Sequence, residues 1–241
     1  MDIHCTILTS SDIEKFERCY LSARDQFDIT VVINTLDPVY ESTCMEYCQE
    51  NSIDYIVTES NGTPARGKNS MVQHLLKNGT SDYYLMLDGD DYISDHAGMI
   101  LQALCASSPN VILYKDKDIV STVNEMIPNY IMDPKPEIVR NSYNRAINMI
   151  YRKGLLRRIV VCDKKGLENL VYNEDLPIFE DCDAVNTLIK SDIHCVKTNG
   201  SWYNYEPTTK GATVSYVANT ASEDAMAFLA RFNKRVRGRR L

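Results

Sequence analysis

Apolar and polar positions along the first ninety residues switch repeatedly between a strand period and a helix period. Ile3–Thr9 is a mostly apolar run of strand length. Ser11-Asp12-Ile13-Glu14 follows as a capping box in which Ser11 caps and Glu14 reaches back. Ile13, Phe16, Tyr20 and Leu21 then recur at helical spacing, which predicts their burial. Residues 29–34 predict a second strand that ends near Asp37-Pro38, 39–50 a helix, and 53–58 a third strand. GTPARGKN (62–69) reads as a loop leading into a helix of roughly 12 residues, with Met71, Leu75 and Leu76 inward. Residues 82–87 predict a fourth strand. Strands alternating with helices imply an α/β fold: a mostly parallel, Rossmann-like sheet with helices on both faces.

After residue 95 the pattern changes. A helix near 96–106 precedes a strand at Val111–Tyr114 and another at 119–123. Residues 127–141, with Pro128, Pro134 and Pro136, read as a long loop. A strand at 148–151, a short helix at 153–158, an amphipathic helix at 181–191 (Cys182, Val185, Leu188 and Ile189 inward) and a strand at 193–197 complete the prediction. No repeat or low-complexity linker interrupts the chain, so the 241 residues are expected to form one domain with a smaller region after residue 95.

Composition adds little. Apolar residues make up 44% and charged residues 24%, ordinary for a soluble globular protein. No apolar run approaches the ~20 residues of a membrane helix, and MDIHCTILTS has no basic leader region, so the expected location is cytoplasmic. The eight cysteines form no C-x-x-C pair and read as reduced core thiols. Three glycosylation-type sequons, at Asn61, Asn78 and Asn199, read as turns. Charge is uneven: residues 231–241 (RFNKRVRGRRL) hold six of the 26 basic residues and none of the 33 acidic ones, leaving a net of -13 on the other 230. A basic tail on an acidic body suits contact with phosphate or a membrane surface, or simple solvation.

The chemistry concentrates at LMLDGDDYIS, where the fourth apolar run stops at Asp88, Asp90 and Asp91. Carboxylates this close resist ionising together, so a compensating charge is expected. Magnesium or manganese, which take hard oxygen ligands and are commonly shared with phosphates, are the candidates. Asp116-Lys-Asp118 and Asp181-Cys-Asp183 share the D-x-D spacing, but neither follows an unbroken buried strand into a second acid. The strand-end position matters because open α/β sheets bind ligands outside the carboxyl ends of their strands.

The order strand, helix, strand ending near an acid, helix, strand, then ESNGTPARGKNSMVQHLL and YYLMLDGDDYIS resembles the nucleotide-sugar half of family-two, GT-A-fold inverting glycosyltransferases. Gly62, Ala65, Arg66 and Asn69 stand at that family's Gly-x-x-x-Ala-Arg-x-x-Asn-like spacing, ahead of its Asp-x-Asp-Asp. The resemblance covers residues 3–95 best. It implies a nucleotide-sugar-binding half (1–95), an acceptor half (96–225) and a basic tail (226–241). It places Thr9, Asn34, Asp37, Arg66, Lys68, Asp88 and Gly89 at a donor, with UDP-sugars favoured. It places Asp90, with Asp88 and Asp91, at a manganese or magnesium ion. Such an enzyme, a hexosyl- or pentosyltransferase, also needs a carboxylate base for the acceptor hydroxyl. Two Glu-Asp pairs are available, Glu174-Asp175 and Glu180-Asp181, and Asp181, which opens a helix before the last strand, is favoured over Asp175. Glu180, Trp202, Tyr203 and Lys210 would then face the acceptor. One departure stands out: YNYEPTTKGATVSY lacks the histidine that many relatives place after the aromatic stretch as a metal ligand, so Glu206, a water or Lys210 would replace it.

The acceptor expected by default is a glycan or lipid-linked glycan. The alternative is a hydroxymethylated base in DNA, which the basic tail would suit through salt-sensitive phosphate contacts. A nucleotidyltransferase would also use paired aspartates, but with a glycine-rich basic loop after the first strand, where this chain has LTSSDIEK. A non-catalytic nucleotide-sugar-binding module is the remaining alternative.

Overall fold

The structure, a computed structural model, describes residues 1–114, 158–174, 180–189, 191–198 and 202–204. The strands expected at 119–123 and 148–151, the loop at 127–141, Asp175, Glu206, Lys210 and the basic tail lie outside the described residues. In chain order the elements are β1 (Ile3–Thr9), α1 (Ile13–Ala23), β2 (Ile29–Ile33), α2 (Pro38–Glu50), β3 (Asp54–Val57), α3 (Pro64–Asn78), β4 (Tyr83–Asp88), β5 (Tyr92–Ile93), α4 (Ala97–Cys105), β6 (Val111–Tyr114), β7 (Arg158–Asp163), α5 (Lys164–Glu168), α6 (Glu180–Ile189), β8 (Cys195–Thr198) and β9 (Tyr203–Asn204).

Seven strands form one sheet in the order β3-β2-β1-β4-β7-β6-β8. The β3-β2-β1-β4 half is parallel throughout, which requires the crossover helices α1, α2 and α3. β7 runs antiparallel to both β4 and β6, and β8 returns parallel to β6. Alternate residues of the central strands feed two cores, one on each face. Leu85 and Leu87 pack with Phe16, Cys44 and Leu101, whereas Tyr84 and Met86 pack with Met71, Leu75 and Leu188. This explains why β4 reads as a continuous apolar run: both of its faces are covered. Cys5, Cys19, Cys44, Cys48, Cys105 and Cys162 are free buried thiols, as expected.

Three elements differ from expectation. The cap of α1 is Asp12, whose carboxylate accepts from Lys15 N at 3.1 Å, not Ser11. An ionised cap also complements the helix dipole. With the helix starting at Ile13, the buried positions are Phe16, Cys19 and Ala23, and Leu21, about 140° round from Phe16, is 44% exposed. The stretch 62–69 is mostly helix, because Thr63 caps and Pro64 occupies the first helical position. Lys68 therefore sits in the second turn of α3. Finally, Arg158, expected to close a short helix, opens strand β7, where Ile159, Val160 and Val161 suit a covered strand.

Candidate active site

Strand direction assembles the site. β1, β2 and β4 run parallel, so Thr9, Asn34 and Asp88 arrive at one rim of the sheet. β7 runs the other way, so its first residue, Arg158, reaches the same rim as the last residue of β4. Gly89 makes the exit from β4 possible. Its N–H donates to Leu8 O at 2.7 Å, and an added Cβ would sit 2.9 Å from that oxygen. The short antiparallel pair β5–β9 then brings Tyr203 over the acidic turn.

Around that turn the charges are paired by the chain itself. Arg158 Nη1 donates to Asp88 Oδ2 and Asp91 Oδ2, each at 2.6 Å. The Tyr203 hydroxyl donates to Asp91 Oδ2 at 2.5 Å and accepts from Arg158 at 3.3 Å. Lys68 Nζ donates to Asp181 Oδ1 at 2.7 Å and Glu180 Oε1 at 2.9 Å, lies 3.7 Å from Asp88 Oδ2, and stands over the Tyr172 ring. Two cations, the buried Lys68 and the partly covered Arg158, thus serve Asp88, Asp91, Glu180 and Asp181. A small cleft opens among Lys68, Met86, Asp88, Arg158, Asp181 and Tyr203.

Protonation follows from this pairing. Burial pushes the Asp88 carboxyl up, but Lys68 and Arg158 outweigh it and hold the group below the usual carboxylate range. Burial, with the charge of Asp88, raises Asp90. Burial raises Asp91 to about 8, with Asp90 and Asp88 adding to the push and Arg158 opposing it. Glu180 is raised by burial despite Lys68. Burial disfavours the charged form of Lys68, but Asp181, Asp88 and Glu180 outweigh it, so the ammonium stays charged.

The residues expected at a donor line the rim beside this cluster. Thr9 is buried and its hydroxyl bonds that of Tyr40. Asn34 donates to Thr58 Oγ1 at 2.8 Å and Glu59 O at 3.2 Å, which fixes the loop before α3. Asp37 caps α2 with an exposed carboxylate. Arg66 Nε donates to Glu59 O at 3.3 Å, and its Nη1 lies 3.6 Å from Glu174. Asn69 exchanges two 2.9 Å hydrogen bonds with the Tyr172 backbone and donates to Glu174 at 2.9 Å. The first Glu-Asp pair is thereby anchored to α3 through its glutamate. Trp202 and Tyr203, expected at the acceptor, are both buried. Tyr203 lines the cleft, whereas Trp202 packs edge-on against Tyr114 and donates to Thr198. Lys68, expected near a diphosphate or the uracil-type base, joins the Glu180-Asp181 pair to Asp88.

Carboxylate oxygens of Asp88, Asp90 and Asp91 lie within 4.8 Å of one another, so donor type and spacing both fit a magnesium or manganese ion. The compensating charge that sequence reasoning assigned to such an ion is already provided in part by Arg158, which that reasoning missed. The available signal was the β-branched run Ile159-Val160-Val161 bounded by Arg158 and Asp163: a strand with a basic residue at its open end. His4 and His74 take structural partners, Thr30 and Asn78.

No protein-family model matches the chain, and no curated protein matches it. Solved structures do. S. aureus TarS residues 1–349 in complex with UDP-GlcNAc aligns with a TM-score of 0.57 at 15% identity, covering 89% of this chain and 61% of that one. TarS 1–349 in complex with UDP gives 0.54 at 15% identity, covering 98% and 71%. A longer S. aureus TarS structure gives 0.54 at 15% identity over 84% of this chain, which spans only 36% of that one. What is shared at this identity is the architecture, a mixed α/β sheet with a parallel β3-β2-β1-β4 half and helices on both faces: the chain has the GT-A-like fold.

Proposed function

We propose that the chain is a glycosyltransferase that moves a sugar from a nucleotide-diphospho-sugar, UDP-linked by preference, to an acceptor hydroxyl with inversion. The observation that carries this reading is the placement of Asp181. Its Oδ1 and Asp88 Oδ2 share one ammonium, at 2.7 and 3.7 Å from Lys68 Nζ, which puts a carboxylate that could serve as base beside the strand end where a donor would lie. The UDP-GlcNAc and UDP complexes of TarS, on the same fold, support the donor class.

In the proposed step the acceptor oxygen attacks the anomeric carbon in line. The bond from that carbon to the diphosphate oxygen breaks, and its electron pair leaves with the nucleoside diphosphate. Asp181 takes the hydroxyl proton. A single displacement inverts the anomeric centre. Thr9, Asn34, Asp37 and Arg66 would bind the nucleotide side, Arg66 through its charge on the diphosphate. Asp88, Asp90 and Asp91 would hold the magnesium or manganese ion, which when bound supplies positive charge for the leaving diphosphate. Glu180 would hold Asp181 in register through Lys68. A glycan or lipid-linked glycan is the proposed acceptor.

The test is UDP release from a panel of UDP-sugars, with UDP affinity measured alongside. The parent should release UDP. Asp181→Asn should keep its UDP affinity while releasing UDP roughly 10²-fold more slowly, the usual worth of a positioned base. A parent that neither binds UDP nor releases it from any sugar donor would sink the proposal. Unchanged release by Asp181→Asn would remove Asp181 as the base.

A further inference from the structure

We propose that Arg158 is the built-in counter-charge of the acidic turn, and that a divalent cation must compete with its guanidinium for Asp88 and Asp91. The guanidinium bonds Oδ2 of both residues at 2.6 Å. It is delivered by the sheet, because β7 is paired with β4 on one side and β6 on the other. The Arg158 side chain is 18% exposed and that of Asp91 0%, so water screens this pair weakly.

A cation bound to either Oδ2 at the usual magnesium–oxygen distance would lie less than about 5 Å from Arg158 Nη1. Two positive centres that close in a poorly solvated site repel, and a guanidinium cannot shed its charge by losing a proton. Lys68, 3.7 Å from Asp88 Oδ2, adds a second positive centre. The cation therefore has full use of Asp88 and Asp91 only when Arg158 gives them up. The free chain should bind divalent ions weakly in spite of its three clustered aspartates. This inference concerns the nucleotide-free site and does not depend on any sugar being transferred.

The experiment is manganese binding to the nucleotide-free protein, followed by the electron paramagnetic resonance signal of free manganese, for the parent, Arg158→Met and Arg158→Lys. The parent and Arg158→Lys should bind weakly and alike, and Arg158→Met roughly tenfold more tightly or better. No gain in Arg158→Met, or an equal gain in Arg158→Lys, would overturn the proposal. Removing the guanidinium also takes a charged partner from buried Asp91, which can prevent Arg158→Met from folding. The parent's thermal transition then decides. A midpoint unmoved by about 1 mM manganese supports the proposal, and a rise of several degrees overturns it.

Discussion

Glu180 shows how one buried carboxyl ties this site to pH. It opens α6 almost fully covered, its Oε1 2.9 Å from Lys68 Nζ, and burial holds its proton more tightly than in the unfolded chain. A carboxyl raised in this way stabilises the fold fully below its ordinary value of about 4.3. That contribution disappears as pH rises through the raised value, because the unfolded chain then holds fewer protons than the folded one. Stability of the parent should therefore fall relative to Glu180→Gln as pH rises above the ordinary value of about 4.3, by at most about 1.4 kcal/mol per pH unit for a single group. Urea denaturation of both proteins as a function of pH checks it. Parallel pH profiles would mean that Lys68 keeps Glu180 ionised throughout. The long-range charge pairs of the site were the least legible part of the sequence. Asp88, Asp90 and Asp91 were legible because an apolar run stops at them. Lys68 meets Glu180 and Asp181, 112 and 113 residues away, and Arg158 meets Asp88 across 70, and no local pattern announces such pairs.

Local period did reveal most of the elements, and the misses have definite causes. The parallel half, β1 to β4 with its three helices, was legible because strand-length apolar runs alternate there with helix-length segments. β7 was not, because a short apolar run does not by itself distinguish strand from helix. Its identity comes from pairing with β4 and β6, and so does the arrival of Arg158 at the rim. The start of α1 was displaced by one residue because Ser11 and Asp12 are both good caps. The structure gives the role to Asp12, which makes the 3.1 Å bond to Lys15 N. Asp12→Ala should then cost about 1 kcal/mol, and Ser11→Ala a few tenths at most. Chemical denaturation of the two variants measures the difference, and a larger loss in Ser11→Ala would restore the capping box expected from the sequence.

Over the whole molecule, charge is divided more sharply than the net of -7 suggests. The site gathers Asp88, Asp90, Asp91, Glu180 and Asp181 around two cations, while residues 231–241 carry six basic groups and no acid. The acidic rim repels a polyanion unless something else attracts it, so a DNA acceptor would depend on that basic segment. A glycan acceptor makes no such demand. Deleting residues 231–241 should leave UDP affinity unchanged, because the residues proposed to bind the nucleotide all lie between Thr9 and Asp91. The same deletion should abolish duplex-DNA binding, and in the parent that binding should weaken steeply with salt, without sequence preference. The two measurements separate the acceptor classes. If the truncated chain still transfers sugar to a glycan at the parent's rate, the segment is dispensable for chemistry and the glycan reading stands. If it binds duplex DNA as tightly as the parent, the segment is not the DNA contact.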